Sequence, residues 1–492
     1  MKMKNIIRFI APLFLVWSCA GHVELPGPIS DGMVLQRDGS AYLWGKAVPG
    51  RTVTIKTSWN GETYRVRPDA DSLWKVSVAT TEAGGPYSVS FRQGCEKTVV
   101  SDVLLGEVWI CSGQSNMQMP VMGYQSQPVE GSLEALLEAP SHRLVRVMKT
   151  PRRALDGPQE DVPASWSHAS IASVSEFSAL GWFFSARLSD ALGVPVGIIE
   201  ADWGGTRIEA WMSRELSAKA FPEVGEMDGP NALAVLYNSM IWPLRNYTVR
   251  GFLWYQGESN KEHSEVYAGL MAEMVDEWRT AFGGGEEMPF YYAMLAPYDY
   301  CNPFDSSRYG DLTLPLLWEA QTKALSLIPN SGMAPTNDLG DPHFIHPSRK
   351  KEVADRLVML ALHDTYGDAG GIEDGATVSW HAPIYKGVTF SGNEATVSFD
   401  SPGTLCPLDP LADVPLKGFE IAGADRKFYP ADAHIRKDGF YRFSRDVVVS
   451  SPRVPRPVAV RYSFHNLPDG NLTNVLGIPA VPFRTDDWPV LP

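Results

Sequence analysis

Two serines three residues apart, Ser112 and Ser115, stand in the run GEVWICSGQSNMQMP from Gly106 to Pro120. A serine becomes a nucleophile when a base takes its proton, a third group orients the base, and N–H donors receive the oxyanion. Ser115 follows Gly113, which permits a tight strand-to-helix turn and exposes the side chains after it. Ser112 lies closer to the apolar run and is the weaker candidate, and Met117 breaks the G-x-S-x-G elbow pattern. The competing reading of the stretch is a polar turn that ends a buried strand. A base is available in His346, which follows Ile345 and precedes Pro347 at an expected helix start. Asp341-Pro342-His343-x-x-His346 imitates a metal site, but no H-E-x-x-H motif or cysteine partner accompanies it, so no metal is expected. Asn116, Gln256 and Asn260 are neutral donors suited to an oxyanion or to sugar hydroxyls. Gly204-Gly205 either brings backbone close to a ligand or makes a tight turn.

These residues need elements to hold them. From residue 102 onward, apolar strands alternate with amphipathic helices. The expected strands are Val103–Cys111, Val196–Ala201, Val249–Tyr255 and Phe290–Leu295. The expected helices are Glu176–Leu192 with Gly193 as C-cap, Val266–Phe282 ended by Gly283, Leu314–Ile328, and Arg349–Tyr366 entered through Pro347. Such alternation means a parallel sheet covered on both faces. Ligands bind beyond the C-terminal ends of its strands. Four polar clusters stand there: SGQSNM, DWGGTRIEAW at 202–211, QGESN at 256–260 and, after a further, weaker strand, GDPHFIHP at 340–347. Before the α/β region, short alternating runs between turns predict a small β-sandwich or jelly-roll. After it, KGVTFSG, EATVSFD, GFEIAG and PVAVRYSF predict a second β module or strands added to the first. The expected division is 1–21 export signal, 22–104 β-sandwich, 105–366 α/β domain and 367–492 C-terminal β-rich domain.

Bulk properties narrow the function. A net charge of −14 over 492 residues argues against a nucleic-acid partner. The 43 glycines, 38 prolines and 15 tryptophans indicate many turns and β structure; most of the tryptophans are expected in the core. Lys2, Lys4 and Arg8 precede a short apolar run and the small residues Ser18, Cys19 and Ala20, the layout of an export signal. Val16-Trp17-Ser18-Cys19 also resembles a lipobox, so two fates are open: plain cleavage, or a lipid anchor on Cys19. Exported, periplasmic, outer-membrane-anchored and secreted destinations all follow from it. Cys95, Cys111, Cys301 and Cys406 show no paired spacing and are expected as buried free thiols, although an exported chain could pair some of them.

GQSNM, GGTRIEAW, WYQGESN and DLGDPHFIHPSRKKEVADRL, in that order, resemble the sialate O-acetylesterase family, serine esterases of the SGNH/GDSL fold. The resemblance implies Ser115 as nucleophile and His346 as general base and then acid. It implies an oxyanion hole from the backbone N–H of Ser115 and of Gly204 or Gly205, with the Gln256 side chain. Asn116, Arg207, Glu258 and Asn260 become substrate or scaffold contacts, and no cofactor is implied. The orienting acid departs from the simplest pattern: His343 stands three residues before His346, where many such enzymes carry Asp, and Phe344 stands two before. Asp341 is the expected acid, with Asp338 next and a Ser–His dyad held by a backbone carbonyl as the alternative. The implied substrates are O-acetylated sugars, foremost 9-O-acetyl sialic acids, with acetylated xylan or pectin oligosaccharides as the alternative class. A non-catalytic carbohydrate-binding protein and a metal-dependent deacetylase are the rival readings. Oligomeric state is left open.

Overall fold

The computed structural model describes residues 22–220, 228–367, 380–401, 405–407, 415–437 and 443–490. The expected export signal and Cys19 lie outside them. The central element is β1 (Glu96–Gly113), buried without interruption from Val103 onward. Six further core strands follow: β2 (Val145–Lys149), β3 (Trp166–His168), β4 (Val196–Asp202), β5 (Gly251–Tyr255), β6 (Phe290–Ala293) and β7 (Ser331–Ala334). Their order across the sheet is β3-β2-β4-β1-β5-β6-β7. All pair in parallel except the edge strand β3, which runs antiparallel to β2. The chain fills one side of β1 and then crosses to the other, so the loops after β1, β4 and β5 meet at the switch in strand order.

Both faces of this sheet are covered, which explains why β5 is apolar along its length and β4 is apolar up to Ile199, with the buried Glu200 and Asp202 at its C-terminal end. The helices after the short α1 (Ser115–Gln118) are α2 (Ala179–Leu192), α3 (Ser264–Phe282), α4 (Thr313–Leu327) and α5 (Lys350–Leu360). Trp109 of β1 meets Phe184 of α2 edge-on at 5.3 Å, and on the opposite face Phe252 of β5 meets Trp278 of α3 at 5.3 Å. α2 packs beside α5 and α3 beside α4. Ser178 caps α2 by accepting from Gly181 N–H, and Gly193 ends it in the left-handed conformation, as the sequence predicts. The expected last helix is shorter and starts later. α5 begins at Lys350, Pro347 stays in the preceding loop, and the end widens into a π-helical turn, Ala361–Thr365.

The short alternating runs before β1 form strands in two facing layers. One layer pairs Val23–Glu24, Gly39–Ala47 and Leu73–Thr80. The other joins Val53–Thr57, Thr63–Val66 and Gly84–Gln93 to the first half of β1. Trp74 and Phe91 pack between them at 5.8 Å. The same strand therefore serves the sandwich and the α/β sheet, and position 104/105 falls inside it. One apolar core runs from Val23 through the α/β region to Val481, while the C-terminal strands gather around a second core, Ala395–Phe483. The C-terminal strands form sheets of their own and do not extend the N-terminal layers. Trp109, Trp182, Trp211, Trp254, Trp278 and Trp318 are fully buried. Cys111 is a buried free thiol, but Cys301 is free and exposed, and Cys95 is disulfide-bonded, so the expectation of buried thiols throughout does not hold. Among the described residues no helix is long and apolar enough to cross a membrane.

At the end of β1, Gly113 adopts φ +143°, and a Cβ built there would lie 2.2 Å from Tyr255 O. Only glycine fits that close approach. Gly113→Ala is expected to cost about 2–4 kcal/mol, from steric overlap and an unfavourable φ together. A fall in the midpoint of denaturant unfolding relative to wild type checks this.

Candidate active site

Ser115 is the first residue of α1, directly beyond the Gly113 turn. Gln114 N–H donates to Tyr255 O, and Gln114 Oε1 accepts from Gly257 N–H at 3.3 Å and Ser259 N–H at 3.2 Å, which ties this loop to the one after β5. As a first-turn residue, Ser115 has a backbone N–H with no intrahelical acceptor. Ser112 stays fully buried on the strand.

His346 reaches the same corner from the loop after β7. Its ring meets Tyr124 edge-on at 5.1 Å, and Tyr124 Oη donates to Ser115 O at 3.1 Å. No direct hydrogen bond joins Ser115 Oγ and His346 among the described residues; such contacts often close only with substrate in place. His346 Nδ1 lies 2.8 Å from Gln127 Oε1. In the neutral ring Nδ1–H then donates to the amide, and Nε2 is left as the basic atom. Burial, followed by the positive charge of Lys350, lowers the imidazole to about 4.

The acids expected behind His346 are engaged elsewhere. Asp341 Oδ1 accepts from the backbone N–H of His343 at 2.7 Å and of Phe344 at 3.1 Å, shaping the loop. Asp338 forms a two-point pair with Arg356 at 2.7 and 2.6 Å. The structure brings neither to the imidazole. Gln127, a neutral amide in the loop after α1, takes that position. The sequence offers no cue for it, since the pattern being sought is an acid.

Beneath both residues lies a buried network. Asn116 Nδ2 donates to Glu258 Oε1 and, at 3.0 Å, to Ile345 O, while Asn116 Oδ1 accepts from Lys350 Nζ. Lys350 is fully buried; burial lowers its ammonium to about 7, with Glu258 acting in the opposite direction. Burial raises the Glu258 carboxyl, with the Asn116 hydrogen bond opposing it. Asn116 and Glu258 are therefore scaffold and not sugar contacts. Lys350 has no obvious cue in the sequence, because a lysine opening a surface-like helix reads as solvated.

The remaining expected site residues divide in the same way. Gln256 is fully buried; its Nε2 donates to Thr206 O at 3.1 Å and Asn260 Oδ1 at 2.7 Å, and its Oε1 accepts from Tyr267 Oη at 2.8 Å. With both amide hydrogens engaged, Gln256 braces the wall and has none left for an oxyanion. Asn260 donates to Glu209 Oε2 at 2.9 Å and accepts from Ile208 N–H at 3.0 Å, and Arg207 Nη2 pairs with buried Glu209 at 2.9 Å. Gly204 does come close: a Cβ there would lie 3.2 Å from Ser115 Cβ. Its N–H donates to Gln118 Oε1 at 2.6 Å. Gly205 is exposed, with φ +74°. Below this strap Asp202 is buried, and burial together with the neighbouring Glu200 pushes its carboxyl well up.

Residues 105–358 match the family described as carbohydrate esterase, sialic acid-specific acetylesterase. Sialate O-acetylesterase of Homo sapiens is 33% identical over 380 residues, covering 69% of this chain and 70% of its own. That of Mus musculus is 32% identical over 405 residues, covering 69% and 73%. A crystal structure of a carbohydrate acetylesterase from Xanthomonas citri is similar with a TM-score of 0.83 at 34% identity, covering 95% of this chain and all of that one.

A base must be neutral to accept a proton, so activity that depends on His346 is lost as pH falls through about 4, well below the ordinary histidine range. The acid limb of the kcat/KM profile is expected there. Lys350→Met removes a charge that disfavours the imidazolium and leaves Asn116 Oδ1 without its donor. The limb is expected to move up in pH, with kcat/KM down about 10- to 100-fold from loss of a buried hydrogen bond of roughly 1–3 kcal/mol. A pH series on both proteins checks it.

Proposed function

The chain belongs to the carbohydrate esterase family of sialic acid-specific acetylesterases, and on that premise we propose that Ser115, His346 and Gln127 carry out its reaction. The enzyme is a carboxylic ester hydrolase that removes O-acetyl groups from sugars. The observation that carries the residue assignment is the convergence on Tyr124 of the Ser115 turn and the His346 ring, with Gln127 on the far nitrogen.

Ser115 Oγ attacks the acetyl carbonyl carbon while its proton passes to His346 Nε2. The carbonyl oxygen becomes the oxyanion, received by Ser115 N–H and by the backbone of the Gly204-Gly205 strap once Gln118 Oε1 yields the Gly204 N–H. The imidazolium returns its proton to the departing sugar oxygen. Water repeats the cycle on the acetyl-serine and releases acetate. Gln127 holds the ring with Nδ1–H turned away from the serine, the tautomer the first step needs. It does so without the charge a carboxylate would bring, which suits a base shifted down to about 4.

We place 9-O-acetyl sialic acids first among substrates and acetylated plant oligosaccharides second. Arg207 is committed to Glu209, so a substrate carboxylate needs another cation. Arg152 supplies one: it is exposed, and its charge reaches Tyr124 and Asp202 at the site. Export of the chain, with plain cleavage or a lipid on Cys19, and the three-part division at 104 and 366 belong to this reading as proposals.

Ser115→Ala is expected to lower acetyl release by several orders of magnitude with folding intact. Gln127→Glu places a carboxylate on the imidazole, favours its charged form and is expected to move the acid limb upward by at least one pH unit. An unmoved limb would show that Gln127 does not touch the working base. Arg152→Gln is expected to raise KM about tenfold or more for O-acetyl sialate while leaving a neutral acetylated xylo-oligosaccharide unaffected, roughly the worth of one charge-assisted hydrogen bond. Equal loss on both substrates removes the carboxylate role.

A further inference from the structure

Where α5 widens into its π-helical turn, it presents His363 and Asp364 on adjacent positions. His381 arrives beside them from the segment that leads into the C-terminal strands. His363 Nδ1 stands 2.7 Å from Asp364 Oδ1, and His381 Nε2 stands 3.2 Å from the same oxygen. The two imidazoles are perpendicular, with centroids 5.9 Å apart. One ligand atom from each of the three residues lies within 4.8 Å of the other two. Asn474 Nδ2 donates to His381 O at 3.2 Å and holds that backbone in place. None of the three belongs to the Ser115–His346 network.

Two imidazole nitrogens and a carboxylate oxygen make a borderline ligand set. It suits a divalent late first-row ion, zinc above all, and not calcium or magnesium, which require oxygen ligands. The geometry is already assembled, because one carboxylate oxygen now gathers both rings through their N–H groups. A divalent cation at that point would displace those two protons and keep all three side chains, with water completing the shell.

We propose that His363, Asp364 and His381 form a structural zinc site that fastens the start of the C-terminal strands to the end of α5. Two of the ligands ride on the helix of the catalytic core, and the third stands at the opening of the C-terminal region. Zinc bound to the folded form alone then raises the stability of that junction by mass action. The site owes nothing to the esterase assignment and would stand if that assignment fell.

The test uses the full chain, stripped of metal. Titration with zinc sulfate by calorimetry is expected to give one site per chain, and thermal unfolding with zinc in large excess is expected to rise by about 2 °C or more. Cobalt(II) in its place is expected to give visible d–d absorption of a low-coordinate nitrogen–oxygen site. His363→Ala and His381→Ala should each remove the rise and the cobalt band, while acetyl release without metal stays at the wild-type rate. A wild-type chain that binds no zinc overturns the proposal without reference to any variant. So does zinc binding that survives in the His363→Gln variant, chosen to keep a side chain of similar reach should the alanine forms fold poorly.

Discussion

The Asn116 side chain is the constraint on which the site depends. One amide, 1% exposed, joins three loops that are far apart in sequence. It accepts from Lys350 at the head of α5, donates to Glu258 in the loop after β5, and donates to Ile345 O, the carbonyl immediately before His346. An aspartate in its place could not donate, and a leucine could do neither. Because Asn116 directly follows Ser115, the distance between Ser115 and His346 is set through a rigid, fully hydrogen-bonded unit and not through the flexible reach of either side chain. Burying a lysine and a glutamate around it contributes little net stability. What the network supplies is a single arrangement of the loops.

Electrostatics around this unit explain why an amide can stand where related chemistry uses an acid. Glu258, Glu200 and Asp202 are already buried at the strand ends. Asp202 and Glu258 are both pushed toward their neutral forms by burial. The charge acting on His346 is that of Lys350, which lowers the imidazole, and a carboxylate in place of the Gln127 amide would oppose that shift. A neutral oxygen fixes the tautomer without that opposition, and the consequence is an imidazole that stays unprotonated well into acid.

Legibility from sequence followed how local each determinant is. Strands buried on both faces announce themselves as apolar runs, and Gly193 and Gly283 mark helix ends through chain-local conformational demand. Ser115 and His346 stand out because their residue types are rare in the right place, at strand ends. Gln127 and Lys350 do not, since their meaning arises only from contacts across 219 and 234 positions of sequence. Gln256 and Asn260 misdirect for the same reason: a polar side chain in a strand-end loop looks available until its partners Thr206, Tyr267 and Glu209 are known. Asp341 is the nearest acid along the chain, yet its own loop claims it through an Asx-type turn. His363, Asp364 and His381 form no motif, because the turn that gathers them is a tertiary feature.

β1 serves two sheets, its first half in the sandwich and its second half ending at the Ser115 turn. From Trp109 to Gly113 it is hydrogen-bonded on both sides and acts as a spar, while Asp102, at φ +54°, marks a bend between its two halves. The sandwich shares this strand and one apolar core with the α/β region, so no linker carries it as a linker carries a lid. Whatever opens and closes around a bound sugar must then be small, drawn from the loops above the strand ends. A bulky glycan would be admitted or refused by the shape of a nearly unyielding mouth.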